Sequence, residues 1–239
     1  MRRYQKEGAG LPSPKGGFPG FVYTLKNNIW TMFGANLLFT LFSLGIITIP
    51  AALCALNRIL VLLIRNGHCF LWSDFVEEFR RSFKRSLAPA LLFLLIFGAA
   101  YYFGSLALTN AAIIVSSMLF WIICFLLFLV GLSWGSYSFV FIALLDLNNR
   151  DALKNARLLC MAKPFLAIMV SVVIAVSAVI TSALMPIWIF ALPIFGIVIP
   201  QYVVCWLVYD VANEYILIPY ERMKAEEEKA QNAASEEEA

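Results

Sequence analysis

The fold is decided by ALLFLLIFGAAYYFGSLALTNAAIIVSSMLFWIICFLLFLVG, residues 90–131, which lies within sixty consecutive residues, 86–145, that carry no charge. Because a helix crosses the hydrocarbon core with about 20 apolar residues, a run of this length is typical of membrane-spanning helices. Its only polar break is ALTNAAI at 107–113, so the stretch predicts two helices, near 88–108 and 112–145.

The composition of the whole chain agrees with a membrane protein. Of its 239 residues, 62% are hydrophobic and 14% are charged, whereas soluble domains carry about 25% charged residues. Two further blocks are almost free of charge: residues 29–64, in which Arg58 is the single charge, and residues 164–209. Because too few polar side chains remain to cover a soluble globule of this size, we expect the three blocks to lie in lipid.

Each of the two shorter blocks is also too long for one helix. Pro50 interrupts the first, and MPIWIFALPIFG, residues 185–196, interrupts the third. The sequence therefore predicts an all-α, polytopic membrane protein with one transmembrane domain over 29–219, built from six helices in three hairpins. The predicted helices lie near 29–48, 51–65, 88–108, 112–145, 164–184 and 197–218, with a tight turn at Thr48–Ala51. The fourth helix is longer than one span, so it tilts, bends at Gly131 and Gly135, or projects beyond the bilayer.

The distribution of basic residues predicts the topology. All 18 Lys and Arg side chains lie near the two chain ends or near the connections 65–86 and 146–163. Since cytoplasmic segments carry the excess of Lys and Arg, we expect a multi-pass protein of the cell membrane with both termini in the cytoplasm. Residues 1–28 are rich in Gly and Pro and predict a flexible cytoplasmic arm, and residues 220–239 predict an acidic, disordered tail.

The two cytoplasmic connections predict amphipathic helices. WSDFVEEFRRSFKRSLAP (72–89) places aromatic residues at helical spacing opposite charged ones, which predicts a helix near 72–86, and NNRDALKNARLLCMAKP (148–164) predicts another near 150–162. Two interpretations stay open: both helices dock a cytoplasmic partner, or both lie among lipid headgroups. The candidate docking residues are Asp74, Phe75, Phe79, Arg80, Phe83, Asp151, Lys154 and Asn155.

Asp210 lies in the apolar part of the last predicted helix, where an unpaired carboxylate is costly. Arg58 lies at a similar predicted depth, and an opposed charge is the usual remedy. We therefore predict that Asp210 pairs with Arg58 in an intramembrane polar cluster. Its other predicted members are Asn36, Asn57, Asn213 and Glu214. Such a cluster either holds the hairpins together or lines a water-accessible cavity for a substrate or a proton.

The sequence offers little catalytic chemistry. His68 is the only histidine, and the five cysteines are far apart, so we expect no metal centre and no cofactor. No phosphate-binding or dinucleotide-binding glycine motif is present, and GLSWGS, residues 131–136, has the wrong spacing for a nucleophile elbow. The basic residues follow the membrane segments, which gives nucleic-acid binding no support. We expect a protein that is not an enzyme.

Several segments resemble the YesL family of bacterial integral membrane proteins, a domain of unknown function. They are NLLFTLFSLGIITIPAALCALNRILVLLIRNG (36–67), DFVEEFRRSFKRSL (74–87) and DLNNRDALKNARLLCMAKPF (146–165). The similarity covers most of residues 25–220, although Gly45 and Pro50-Ala51 stand where the family tends to have Pro and Gly-Pro. The resemblance implies a bacterial cytoplasmic membrane and an association with carbohydrate ABC importers.

Three functions follow as hypotheses. The first is a non-catalytic accessory or modulatory subunit of a carbohydrate transport system, whose cytoplasmic helices contact the importer subunits. The second is a small-solute transporter or channel that uses the polar cluster, and a homo-oligomer is then an open alternative because six helices make a small transporter. The third is a membrane scaffold. Beyond the lipid bilayer itself, the sequence identifies no solute and no partner.

Overall fold

The computed structural model describes residues 17–109, 118–145, 149–183 and 196–217, and every regular element in these ranges is helical. The predicted acidic tail, residues 220–239, and the first sixteen residues lie outside them. Nine α-helices are present in the described ranges. They are α1 Gly17–Asn27, α2 Ile29–Phe42, α3 Ile49–Asn66, α4 Leu71–Ser82, α5 Leu87–Thr109, α6 Met118–Leu145, α7 Asn149–Ala162, α8 Pro164–Ala183 and α9 Val198–Ala212.

The sequence predicted a flexible arm over residues 1–28, and helix α1 corrects this prediction for residues 17–27. The ring of Phe21 stacks on Tyr202 of α9 with 4.9 Å between centroids and meets Trp206 edge-on at 5.6 Å. The Tyr202 hydroxyl donates a hydrogen bond of 2.9 Å to the carbonyl of Phe21. The glycines and prolines around this segment hid the helix, because Pro19 is tolerated in a first turn that needs no amide donor.

The first hairpin turns earlier than the sequence predicted. Helix α2 ends at Phe42, and a short 3₁₀ turn over Ile46–Thr48 leads into α3. The Thr48 hydroxyl donates to the Phe42 carbonyl at 2.6 Å and thereby satisfies one of the last carbonyls of α2. Pro50 lies in the first turn of α3, where proline fits a helix.

Helix α3 lies at the centre of the bundle. It packs against α2, α4, α6 and α9, and most of its side chains from Ala51 to Ile64 are buried. Its C-terminus is closed by Gly67, whose φ of 74° is the left-handed conformation that glycine adopts at helix ends. The Gly67 amide donates to the Leu63 carbonyl at 3.0 Å.

The glycines of α6 admit side chains of α5. A Cβ atom at Gly131 would lie 2.7 Å from Cδ1 of Ile96, and one at Gly135 would overlap the ring of Phe93. These glycines thus allow a close helix contact, of the kind that glycines four residues apart allow in membranes. The GLSWGS segment serves this packing.

Helices α7 and α8 meet at an angle of 107° with Lys163 between them. Pro164 opens α8, and its ring prevents α7 from continuing straight, since proline has no amide hydrogen to donate to the preceding turn. The Ser171 hydroxyl of α8 donates to the Leu129 carbonyl of α6 at 2.6 Å, which fastens α8 to the bundle.

Within the described residues, one helix, Ile46–Asn66, is by itself long and apolar enough to cross a membrane. A second qualifies if the bent pair Arg150–Ala162 and Pro164–Ile180 is counted as one span. Shorter apolar helices are present at Ile29–Phe42, Leu87–Ile96 and Phe128–Leu144. The structure is thus all-helical and compatible with a membrane protein, and the six predicted spans are not confirmed.

Candidate functional site

Two adjacent residues of α3, Asn57 and Arg58, organise the polar interior. Successive residues of an α-helix differ by about 100° around its axis. The two side chains therefore leave α3 in different directions, Asn57 toward α9 and Arg58 toward α6 and α4. This divides the predicted polar cluster into two separate groups.

The first group, called the amide cluster, consists of Gln201 on α9 and of Asn36 and Asn57, each of which bonds to α9. The Asn57 side-chain oxygen accepts a hydrogen bond of 2.7 Å from Nε2 of Gln201, and the thiol of Cys205 donates to the same oxygen at 3.4 Å. Asn57 is fully buried, and its side-chain nitrogen has no hydrogen-bond partner in the described part of the chain. A buried donor of this kind carries a desolvation cost until an acceptor reaches it.

Asn36 holds the start of α9. Its side-chain oxygen accepts a hydrogen bond of 3.1 Å from the backbone amide of Val198. The first amides of a helix have no partner within the helix, so Asn36 supplies from α2 the cap that α9 lacks in its own sequence. Both asparagines were predicted as cluster members, whereas Gln201 was missed. The sequence did point to Gln201 as a cluster member, since it is the one amide side chain between Gly196 and Tyr209.

The second group centres on Arg58. Its Nη1 donates a hydrogen bond of 3.0 Å to the carbonyl of Ala143, in the last turn of α6. The last carbonyls of a helix lack intrahelical partners and carry the negative end of the helix dipole. A cation at this place therefore stabilises the end of α6. Arg58 also lies close enough to Asp74 of α4 to lower the pKa of that carboxyl.

Asp74 is buried against the bundle. Its Oδ2 accepts a hydrogen bond of 2.8 Å from the amide of Phe70, the residue that precedes α4. Burial raises the pKa of the Asp74 carboxyl, and the Phe70 hydrogen bond, Arg58 and His68 oppose this shift in that order. Its Oδ1 is also buried, without a hydrogen-bond partner in the described structure. Asp74 therefore joins α4 to α3 rather than serving as an exposed contact.

The inward face of α4 corrects the docking prediction. Phe75 is fully buried, and Phe79 packs on the ring of Phe42 with 4.9 Å between centroids. Phe83 follows Phe79 at 6.1 Å. Buried Glu78, one turn beyond Asp74, accepts a hydrogen bond of 2.6 Å from Arg81. The aromatic residues that the sequence offered to a partner instead anchor α4, because their burial against α2 and α3 removes apolar surface from water.

The outward face of α4 is charged. Of the docking residues predicted on this helix, Arg80 is exposed. Glu77 of α4 and Lys84 in the turn that follows α4 are exposed as well. On α7, Asp151 and Lys154 are exposed and Asn155 is half-buried. Helix α7 is held by the Trp134 indole of α6, which donates to the Leu153 carbonyl at 2.9 Å. Both predicted cytoplasmic helices are thus present, each with one face packed and one face open.

The end of α9 lies apart from both groups. Asp210 and Glu214 are exposed and Asn213 is half-buried, and the structure does not place Asp210 with Arg58. A π-helical turn, Asn213–Leu217, follows α9. The ring of Tyr215 in this turn lies 4.7 Å from Nζ of Lys163, and its contact, followed by the charge of Glu214, raises the pKa of Lys163.

The described side chains are suited to hydrogen bonding rather than to nucleophilic chemistry. Burial raises the pKa of the Cys69 thiol to about 12 and that of the Cys160 thiol to about 11, so both stay protonated near neutrality. Within the described ranges, no group of three or more His, Cys, Asp or Glu side chains is placed to hold a metal ion. Among the residues that the structure describes, the buried or half-buried polar groups are mainly hydrogen-bonding ones: the amides of Asn36, Asn57 and Gln201, the guanidinium of Arg58, the carboxyl groups of Asp74 and Glu78, and several serine hydroxyls.

A family model described as a protein of unknown function, DUF624, matches residues 25–102. This family includes YesL-like proteins, so the resemblance seen in the sequence is confirmed over this range. The matched segment runs from the end of α1 into α5 and contains Asn36, Asn57, Arg58 and Asp74. A search of curated proteins and a search of solved structures each found no match.

Proposed function

We propose that the chain is a multi-pass protein of the bacterial cytoplasmic membrane, with six spans and both termini in the cytoplasm. In this proposal it is not an enzyme. It acts as an accessory or modulatory subunit of an ABC-type carbohydrate importer, and the open face of α4 contacts the importer. The apolar surface of the bundle supports the membrane location. The way in which α4 is packed supports the accessory role, and the family resemblance supports a carbohydrate as the transported solute.

The observation that carries the membrane location is an extensive apolar exterior, while several polar side chains are buried inside the bundle. Large apolar side chains of α8 are exposed in one stripe, from Phe165 at 74% to Val179 at 67%, while Asn36, Asn57 and Ser133 are fully buried. Contiguous apolar patches of more than a few hundred Å² are rare on soluble monomers. The stripe consists of Phe165, Ile168, Met169, Val172, Val176, Val179 and Ile180. Leu91, Leu94 and Leu95 continue the apolar exterior on α5.

The exposed basic residues support the proposed topology. They lie on α1 and at two connections between the apolar helices, one running from the end of α3 through α4 and the turn after it, the other formed by α7. The residues are Lys26, Arg65, Arg80, Lys84, Arg150, Lys154 and Arg157. Because basic residues near membrane segments stay in the cytoplasm, these connections are assigned there.

The accessory role rests on how α4 is held. Its inner face is fastened by Asp74, Phe75 and Glu78, so the outer charges of Glu77, Arg80 and Lys84 are presented on a rigid support. Charged groups on a fixed helix favour specific and fast association with a partner of complementary charge. A partner surface with acidic residues opposite Arg80 and Lys84 would suit this face.

Copurification tests the accessory role. The protein is expressed at native level, extracted from its own membranes in mild detergent and analysed by mass spectrometry. We expect importer subunits in stoichiometric amounts with the wild type, and their loss in the variant Arg80→Glu/Lys84→Glu. The control is Lys26→Glu, which reverses an exposed charge on α1 and should keep the partner. Recovery of the wild-type protein alone overturns the accessory role.

The amide cluster favours a second candidate, a transporter for a small polar solute. The unpartnered amide nitrogen of Asn57 would donate to a solute acceptor inside the bundle, and secondary transporters place their sites at such buried positions. The test is solute uptake by the purified protein in liposomes. Uptake that is lost in a folded Asn57→Leu variant supports transport, and the absence of uptake by the wild type for the polar solutes tried counts against it.

A further inference from the structure

Helix α7 carries a basic stripe formed by Arg150, Lys154 and Arg157. At about 100° per residue, these three side chains fall within about 60° of the helix circumference. All three are exposed. The buried residues of α7, Ala152, Ala156, Leu159 and Cys160, lie on the other side of the helix. The stripe is therefore turned away from the bundle.

The position of the basic stripe relative to the membrane surface follows from the position of the next helix, α8. Helix α8 departs from α7 at 107°, and its exposed apolar stripe begins at Phe165, two residues after Lys163. If the apolar stripe lies in lipid, as proposed above, the bend lies where hydrocarbon meets water. Helix α7 then lies close to the membrane surface, at the level of the phosphate groups.

Apolar residues are interleaved with the basic ones. Met161 is 74% exposed within the arc of the basic stripe, and Leu158 is 50% exposed beside it. A helix that combines bases with exposed apolar side chains is typical of the membrane interface, where the apolar groups enter the boundary of the acyl chains.

We infer that the basic stripe of α7 binds the headgroups of anionic phospholipids. The occupant is a lipid, because free phosphate offers nothing to Met161 and Leu158, while a phospholipid supplies a phosphate and acyl chains together. Each basic residue near an anionic membrane surface changes the binding constant about fivefold. Three residues together should contribute roughly a hundredfold, reduced somewhat by the nearby carboxylate of Asp151. This inference rests on the membrane location proposed above.

The test is a lipid titration of the purified full-length protein in detergent, with bound lipid counted by native mass spectrometry. The probes are short-chain phosphatidylglycerol and short-chain phosphatidylcholine. We expect the wild type to bind phosphatidylglycerol at least tenfold more tightly than either phosphatidylcholine or the variant Arg150→Gln/Lys154→Gln/Arg157→Gln does. Salt at about 0.5 M should weaken the binding, because it shortens the range of electrostatic attraction.

Two controls separate the site from general charge and from damage to the fold. The variant Lys26→Gln/Arg80→Gln/Lys84→Gln removes three exposed bases elsewhere and should bind like the wild type. The variant Arg150→Lys/Arg157→Lys keeps the charge of α7 and should also bind. The inference is overturned if the first control loses as much phosphatidylglycerol binding as the α7 variant does. It is also overturned if the wild type binds phosphatidylcholine as tightly as phosphatidylglycerol, or if inorganic phosphate fully displaces the lipid.

Carbonate extraction of the native membranes distinguishes this inference from its premise. Release of the protein into the soluble fraction overturns the proposed membrane location. Retention in the membrane, combined with phosphatidylglycerol binding that does not depend on the basic stripe, overturns the lipid site alone. In that second case an acidic protein surface becomes the partner to test for α7.

Discussion

The Nη1 atom of Arg58 on α3 lies 3.0 Å from the backbone oxygen of Ala143, so a cation in the middle of the central helix closes the end of α6. Burial raises the pKa of Asp74 on α4, and the same guanidinium opposes that rise. One side chain thus connects α3 with α4, the next helix along the chain, and with α6, whose contact residue lies 85 positions away. The carboxylate of Asp210, which the sequence offered as its partner, is exposed at the end of α9.

Arg58→Met should destabilise the protein, because it leaves the Ala143 carbonyl and the buried Asp74 carboxylate without their cation. Breaking a buried charge interaction costs several kcal/mol, and we expect on the order of 2 kcal/mol for this half-buried arginine. Thermal unfolding in detergent measures the change. Asp210→Asn is the control and should change the midpoint little.

A double-mutant cycle tests the Arg58–Asp74 coupling directly. The pair Arg58→Met/Asp74→Asn should lose less stability than the sum of the single changes, because neither charge is then left alone. Strictly additive losses of stability in the two single variants, or a large loss of stability in Asp210→Asn, would contradict the coupling of Arg58 with Asp74. Either result would favour a pairing of Arg58 with Asp210 instead.

The amide cluster predicts coupling between α3 and α9. Asn57→Leu and Gln201→Met each remove the same hydrogen bond of 2.7 Å, and each should cost about 1 kcal/mol, the usual size of such bonds between membrane helices. The double variant should cost little more than either single change. The unfolding free energy in detergent checks this, and two fully additive losses would show that the residues do not share a bond.

The glycines of α6 predict a graded response to alanine. Gly135→Ala should destabilise the contact of α5 with α6 most, because its Cβ would overlap the aromatic ring of Phe93, which has little freedom to move. Gly131→Ala should cost less, since Cδ1 of Ile96 is the far end of a flexible side chain. Gly98→Ala on α5 meets open space and is the control. Comparison of the three unfolding midpoints tests this order, and equal losses at all three positions would contradict it.

The buried Asp74 carboxyl predicts a dependence of stability on pH. Burial raises its pKa in the folded state, so its contribution to stability is complete below the unfolded pKa of about 3.9 and is lost as pH rises through the folded pKa. Asp74→Asn cannot titrate, and its side-chain oxygen still accepts from the Phe70 amide. As pH rises above the unfolded pKa of about 3.9, the variant should therefore gain stability relative to the wild type. Parallel unfolding curves against pH for the two proteins would contradict this.

The sequence predicted the helical character of the chain and the ends of α3, α6 and α8 to within a few residues. It also predicted that Asn36 and Asn57 belong to a polar group. These features depend on local patterns: apolar runs, prolines at helix starts, and amides within apolar segments. Helix α1 was not predictable in the same way, because its docking on Tyr202 and Trp206 overrides a composition typical of a loop.

The direction in which each charged side chain points was decided by the tertiary structure alone. Hydrophobicity along the chain determines which residues leave water, but the same pattern on α4 allows its acidic and aromatic face to meet a partner or to meet α3. Packing selected α3, where Arg58 adds to the Phe70 amide at the start of α4 itself in compensating the buried charge of Asp74. Burying a carboxylate is favourable only beside such groups, and the place of Arg58 beside Asp74 depends on how α3 and α4 pack together.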